Sequence, residues 1–223
     1  MADAIVEVRD LSWIPPRSDR PLWEDVSFAL YPGERLVVTG PSGAGKSSLL
    51  RSIVGLEERV SGSVWWRGEP VGEDNIRRFR HRVVYVHQSP VPIASRVSEN
   101  LDFASEIGRE FDEFSADHLD EDEQRQLLDE FGLANIEWSR RFDELSVGEQ
   151  QRVALVRCLS VQPDVLLLDE PTASLDDETA RFVEDHIEDY IDGADDRAAI
   201  WVSHDSEQRE RLDGRILDIG GFS

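Results

Sequence analysis

The residues Gly40-Pro41-Ser42-Gly43-Ala44-Gly45-Lys46-Ser47 bring together what binding a polyphosphate requires. The glycines let the backbone curl so that successive N–H groups point inward at phosphate oxygens, and the helix that follows, which takes in Ser48, adds its positive N-terminal end. Lys46 can reach the β- and γ-phosphates, and the Ser47 hydroxyl is placed to ligate Mg²⁺. A glycine-rich turn that merely caps a helix is the plain alternative; the agreement of strand, loop, Lys-Ser and helix argues against it. A second group, Val165-Leu166-Leu167-Leu168-Asp169-Glu170, is an apolar strand that delivers two carboxylates at its C-terminal end. Parallel sheets bind ligands at that edge. Asp169 suits holding Mg²⁺ through its water shell, and Glu170 suits polarising the water that attacks a γ-phosphate. Alone, Asp-Glu after an apolar strand is often an ordinary strand end meeting solvent. Beside the phosphate loop it reads as a carboxylate pair of the Walker B kind.

Elements able to position these groups are visible in the spacing. Ile5–Arg9 alternates as a short strand, Val26–Leu30 reads as a second, and Tyr31-Pro32-Gly33-Glu34 closes it as a turn. Arg35–Thr39 is a buried strand leading into Gly40, and Gly45–Val54 favours a helix with Leu49, Leu50, Ile53 and Val54 on one face and Gly55 as its stop. A hairpin around Ser61–Gly68 and a strand at Val83–His87 follow; Ser98–Phe131 is polar, acidic and mainly helical in pattern. The chain resumes with a helix through Gly148–Leu159, the strand Val165–Leu168, a helix near Asp177–Ile191 and the strand Ala199–Ser203. In that last helix Phe182, Val183, His186, Ile187, Tyr190 and Ile191 share one stripe. Strands alternating with helices, several of them continuously apolar, predict an α/β fold whose sheet is mostly parallel and covered on both faces.

Leu145-Ser146-Val147-Gly148-Glu149-Gln150, running on into Gln151-Arg152, resembles the signature sequence of the ATP-binding-cassette (ABC) family. Physically it is a loop feeding a helix N-terminus, with Ser146 and the Gly148 N–H ready to meet an anion; Ser146 and Glu149 are also a capping box. Val147 departs from the commonest form, which has glycine there. The resemblance covers Ile5 to about Ile219. It implies a single ABC ATPase domain over 1–223: a P-loop core of RecA type with an N-terminal antiparallel β subdomain (1–88 and 150–223), and an inserted helical subdomain (89–149). It also implies roles for residues that spacing alone would leave unassigned. Gln88 resembles the glutamine that senses Mg²⁺ and the attacking water, and Ser174-Leu175-Asp176 the loop that crosses a dimer interface. His204 resembles the switch histidine on the γ-phosphate, and Trp13, before Trp23, is the candidate aromatic to stack on adenine. The function so implied is binding and hydrolysis of ATP with Mg²⁺. Two copies of the chain would be arranged head to tail about two ATP molecules and would energise a separate membrane permease.

The interval from Gln88 to Leu145 is too short for the coiled coil of a chromosome or repair ATPase, and the paired cassettes of ribosome-associated relatives are lacking. Arg80–Pro90 and Ile200–Asp205 look like the bacterial Fet-type iron-efflux ATPases, with amino-acid or phosphate importers, or a non-transport ABC ATPase, as alternatives. Composition sets further bounds. Acidic residues number 47 against 24 basic, for a formal charge of −23, and Lys46 is the one lysine. So negative a surface repels nucleic acid and anionic lipid, and an acid-rich, lysine-poor surface resembles those of salt-adapted proteins. The longest strongly apolar run, Val165–Leu168, is far short of the ~20 residues that cross a bilayer. A single cysteine, Cys158, and no leader pattern at Met1–Trp13 predict a cytoplasmic protein, peripheral on the inner face of the membrane through its permease.

Overall fold

The computed structural model describes residues 3–110 and 118–221. In chain order the elements are β1 (Val6–Trp13), β2 (Trp23–Leu30), β3 (Arg35–Thr39), α1 (Lys46–Ile53), β4 (Val60–Trp66), β5 (Glu69–Pro70), α2 (Ile76–Arg82) and β6 (Val83–Val86). Then follow α3 (Val97–Glu110), α4 (Glu121–Glu130), α5 (Val147–Ser160), β7 (Val165–Asp169), α6 (Asp177–Asp192), β8 (Ala198–Val202), α7 (Ser206–Arg211) and β9 (Arg215–Asp218). They divide into two compact units. The first comprises Met1–Tyr85, Asp164–Glu170 and Ile191–Ser223; the second comprises Val86–Pro163 and Pro171–Tyr190.

The first unit holds two sheets. One is antiparallel in the order β2-β1-β4-β5. The other has the order β6-β7-β8-β3-β9, and its pairs β7–β8, β8–β3 and β3–β9 are parallel. β1 is longer than its alternation suggests because the register shifts between Arg9 and Ser12. Asp10 sits at φ 51 in that bulge, after which Leu11 and Trp13 return to the buried face taken earlier by Val6 and Val8. Across the bulge Gly62 has φ +95, and a Cβ there would stand 2.4 Å from the Asp10 carbonyl oxygen. Only glycine fits. In the parallel sheet β7 and β8 are buried at every residue, which accounts for their unbroken apolar runs. The carbonyl ends of β7, β8 and β3 lead directly to Glu170, Ser203 and Gly40.

Short elements escaped the sequence patterns. In α2 the bond-rich side chain is Arg80, which donates to the carbonyls of Val54 and Gly55 at 2.8 and 2.9 Å and so ties α2 to the end of α1. β7 is anchored at its start by Asp164, which accepts from Arg67 at 2.8 Å. Burial pushes the Asp164 carboxyl up, opposed by the Arg67 and Arg82 cations.

The second unit is helical. α5 packs against α3 and α4, and Leu128, Val153, Val156 and Leu159 are buried. Asn100, fully buried, fixes the segment ahead of α3: its amide donates to the carbonyls of Ala94 and Arg96, and its oxygen accepts from the Ile93 N–H and from Arg157. The expected helical stretch is two helices, α3 and α4, and the part of that reading on residues 111–117 lies outside the described residues. In the α6 stripe Val183 and Ile187 are buried, whereas Phe182 is exposed and stacks on His186 at 4.3 Å between centroids.

Candidate functional site

β3 delivers the chain to Gly40, and the loop Gly40–Gly45 then runs through three positive-φ glycines, Gly40 at 150, Gly43 at 82 and Gly45 at 85. Gly45 has a second constraint. A Cβ there would meet Leu22 Cδ2 and Trp23 Nε1 at 2.8 Å. Gly45 is the N-cap of α1 without a side-chain cap, and no acidic residue occupies the first turn, which leaves the helix end to an outside anion. The buried Lys46 ammonium donates to the Gly40 and Pro41 carbonyls at 3.0 and 3.1 Å. Burial draws its pKa down, while the carboxylates of Glu170 and Asp169 draw it up and Arg209 adds a further downward push; the net displacement is downward. Pro41, Ser42, Gly43 and Ala44 form the loop itself, and Ser48 is buried in the first turn behind it.

The Ser47 hydroxyl donates to Asp169 Oδ1 at 2.8 Å. The other oxygen of Asp169, Oδ2, accepts from the Tyr85 hydroxyl at 2.6 Å. Asp169 is 3% exposed, so its charge is held by donors rather than by water. Beyond it Glu170 lies at φ 49, uncommon for a side chain of that size, with its N–H bonded to the Val202 carbonyl at 3.1 Å. The turn joins the carboxylate to His204, whose Nε2 stands 2.8 Å from Glu170 Oε1. Lys46, Ser47, Asp169, Glu170 and His204, read from three separate stretches of sequence, thus belong to one unit and form two bonded pairs beside the phosphate loop. Hard oxygen donors from one hydroxyl and one carboxylate fit Mg²⁺, which binds through one or two protein oxygens and completes its shell with water and phosphate. Among the described residues no group of three or more His, Cys, Asp or Glu forms a cation cage of its own.

The remaining candidates lie in the second unit. Ser146 caps α5 with both bonds of a capping box: its N–H donates to Glu149 Oε2 at 2.8 Å, and the Glu149 N–H donates to Ser146 Oγ at 3.3 Å. Bonds from the Ser146 backbone and hydroxyl hold the Glu149 carboxyl below its ordinary value. Val147, in place of the commoner glycine, is 55% exposed and unhindered. Gln150 donates to the Phe142 and Leu145 carbonyls at 3.1 and 3.0 Å, fixing the approach to the helix. Gly148 faces Leu175, which a Cβ would approach to 3.2 Å, so the loop Ser174–Asp176 rests on the signature helix. Asp176 caps α6 by accepting from the Thr179 N–H and hydroxyl, which hold its carboxyl below the ordinary range. Gln88 is exposed after β6; the buried Gln151 donates to the neighbouring His87 carbonyl at 3.3 Å.

One expectation fails. Trp13 is 7% exposed in the core and packs on the wholly buried Trp23 with centroids 6.0 Å apart. Neither indole offers a ring face to adenine. The β1 bulge turns Trp13 inward, and Trp23 with Leu22 lies against the loop at Gly45. Tyr85 was not foreseen; an aromatic within an apolar strand carries no motif, and its role depends on Asp169 in the adjacent strand.

The sequence pattern described as "ABC transporter" matches residues 23–173. Over 195 residues the chain is 34% identical to the probable iron export ATP-binding protein FetA of Escherichia coli K12, a match covering 87% of this chain and 83% of that protein. It is 33% identical to the nitrate import ATP-binding protein NrtD of Synechococcus elongatus over 91% of this chain and 70% of the relative. It is likewise 33% identical to a sulfate/thiosulfate import ATP-binding protein of Cucumis sativus, over 86% of this chain and 54% of that one, so the chain spans only about half of that relative. A solved structure described as an ATP-binding subunit of an ABC transporter superposes with a TM-score of 0.80 at 26% identity, covering 97% of this chain and 87% of that one.

Proposed function

The chain belongs to the ABC transporter family, and from that premise we propose that it binds ATP with Mg²⁺ at the Gly40–Ser48 loop and hydrolyses it to energise a separate membrane permease. The observation that carries the reading is the pair of 2.8 Å contacts, Ser47 to Asp169 and His204 to Glu170, set beside Lys46. Lys46 exchanges its two carbonyl partners for β- and γ-phosphate oxygens, gaining charged acceptors for neutral ones. Mg²⁺, when bound, neutralises charge on the β- and γ-phosphates. Ser47 and Asp169 would hold it. Glu170 accepts a proton from the attacking water as the water oxygen bonds to the γ-phosphorus. The bond from that phosphorus to the β–γ bridging oxygen breaks, releasing ADP and phosphate. His204 keeps Glu170 aimed at the water and contacts the γ-phosphate.

The free end of α5, with Ser146 and the Gly148 N–H, suits contact with the γ-phosphate on a second copy, and Ser174–Asp176 the crossing between copies. Gln88 would report the state of the metal and water to the helical unit. Next along the chain, Pro92, Ile93, Ala94, Ser95, Arg141 and Phe142 line a groove of about 330 Å³, and Val91 and Ile93 are 46% and 45% exposed. A groove following Gln88 with exposed Val91 and Ile93 at its edge and the Arg141–Asp143 ion pair in its lining supports docking of a permease segment there. No helix among the described residues is long and apolar enough to cross a membrane, in keeping with a peripheral subunit on the cytoplasmic face. Metal export, as the name of the Escherichia coli relative has it, is the favoured transport reaction; the importer relatives support anion uptake as the second reading.

Lys46→Ala tests the assignment. Turnover falls by at least about a hundredfold, since the phosphate-facing cation is lost; turnover at the parental rate refutes it. In the permease complex, stimulation of ATPase by ferrous ion favours export of metal, and stimulation by nitrate or sulfate favours the second reading.

A further inference from the structure

We infer that Tyr85 is a positioning residue for Asp169, fixing the metal-holding carboxylate through the hydrogen bond that its hydroxyl donates. The inference rests on the reading of Asp169 and Ser47 as the Mg²⁺ pair. Tyr85 stands on β6, beside β7 in the sheet, and its hydroxyl is 2.6 Å from Asp169 Oδ2. The Arg51 guanidinium on α1 lies beside the same phenol. A guanidinium has only donors and a phenol has one hydrogen. With the Arg51 cation beside it, the Tyr85 hydroxyl turns its one hydrogen to Asp169 Oδ2. Arg51 is itself held, its Nε 2.7 Å from Glu57 Oε1 and its Nη2 donating to Ser48 Oγ at 3.1 Å. A continuous array therefore runs Tyr85, Asp169, Ser47, and it ends on the helix that the phosphate loop opens.

The two donors on Asp169 are not equivalent. Ser47 must turn an oxygen lone pair toward a cation to ligate it, and its bond to Asp169 cannot be relied on in the loaded site. Tyr85 ligates nothing and keeps its bond. It fixes the angle at which Asp169 presents Oδ1, as partners behind metal ligands commonly do. A purely structural tyrosine, present only to satisfy a buried carboxylate, would alter stability and leave the metal requirement alone.

Tyr85→Phe separates the two. Expected is an about tenfold rise in the Kd for Mn²⁺, followed by electron paramagnetic resonance with ATP in the Glu170→Gln background, and a similar rise in the Mg²⁺ giving half-maximal ATPase. Activity at saturating Mg²⁺ returns close to parental, and ATP binding in EDTA is unchanged. Arg51→Met, which frees the phenol proton to turn away, shifts Mn²⁺ affinity in the same direction by a smaller factor and decides the matter if the phenylalanine variant does not fold. Mn²⁺ affinity within about twofold of the parent in the folded variants, or a loss of activity that saturating Mg²⁺ leaves unchanged, overturns the inference. If the Glu170→Gln protein with Tyr85 intact binds no Mn²⁺ with ATP, the assignment of Asp169 and Ser47 falls first, a result visible before any Tyr85 variant is made.

Discussion

In the first unit the carboxylate at the heart of the phosphate site is held across great lengths of chain, Asp169 by Ser47 from 122 positions away and by Tyr85 from 84. In the second unit the helix end that would meet a partner's phosphate is held by its neighbour, Ser146 by Glu149 three positions on. The two arrangements respond differently to change. A site assembled by long-range bonds depends on the sheet and is disturbed by anything that shifts one strand against another. A capping box depends only on itself, and can stay formed while the unit that carries it moves.

Substitutions separate the two arrangements. The largest effect beyond Lys46 is expected at Gly45, where alanine brings both a positive φ and a Cβ at 2.8 Å from Leu22 and Trp23. Gly45→Ala should cost about 2–4 kcal/mol in denaturant melts and weaken ATP binding, because the strain passes to Leu22 and Trp23. If it is as stable as the parent, Leu22 and Trp23 are not what supports the loop. A smaller effect is expected at the self-contained cap. Ser146→Ala should cost only about 1 kcal/mol and leave ATP binding by a single copy intact while reducing turnover. Equal losses in both measurements would show that the two units are not held independently. The cap also has a pH signature. Since the folded Glu149 pKa is depressed below 4.5, its contribution is present above that value and is lost as pH falls through the folded value.

What could be read in advance follows the same division. The phosphate loop, the Asp169-Glu170 strand end and the Ser146–Glu149 box are compact in sequence, and each side chain's task is set by residues within a few positions. Trp13 was misjudged because its direction depends on a bulge formed with β4, opposite Gly62, about fifty residues on in the chain. Tyr85 was invisible because it has meaning only beside Asp169. The short elements α2, α7 and β9 are too brief for periodicity to register; α2 is fixed by Arg80 reaching back to the end of α1.

The proposed ATP site is completed between two copies, with Glu170 activating the water. Light scattering of Glu170→Gln with ATP and Mg²⁺, taken across KCl from about 0.1 M to about 3 M beside steady-state turnover, tests it most directly. Copies carrying −23 each repel over the ~10 Å Debye length at 0.1 M but hardly at all over the ~3 Å of molar salt. Expected are an ATP-dependent dimer that accumulates toward molar KCl, no turnover by the variant, and parental turnover that rises over the same range. A Glu170→Gln protein that stays monomeric with ATP at every salt concentration, or that hydrolyses ATP at the parental rate, would contradict it.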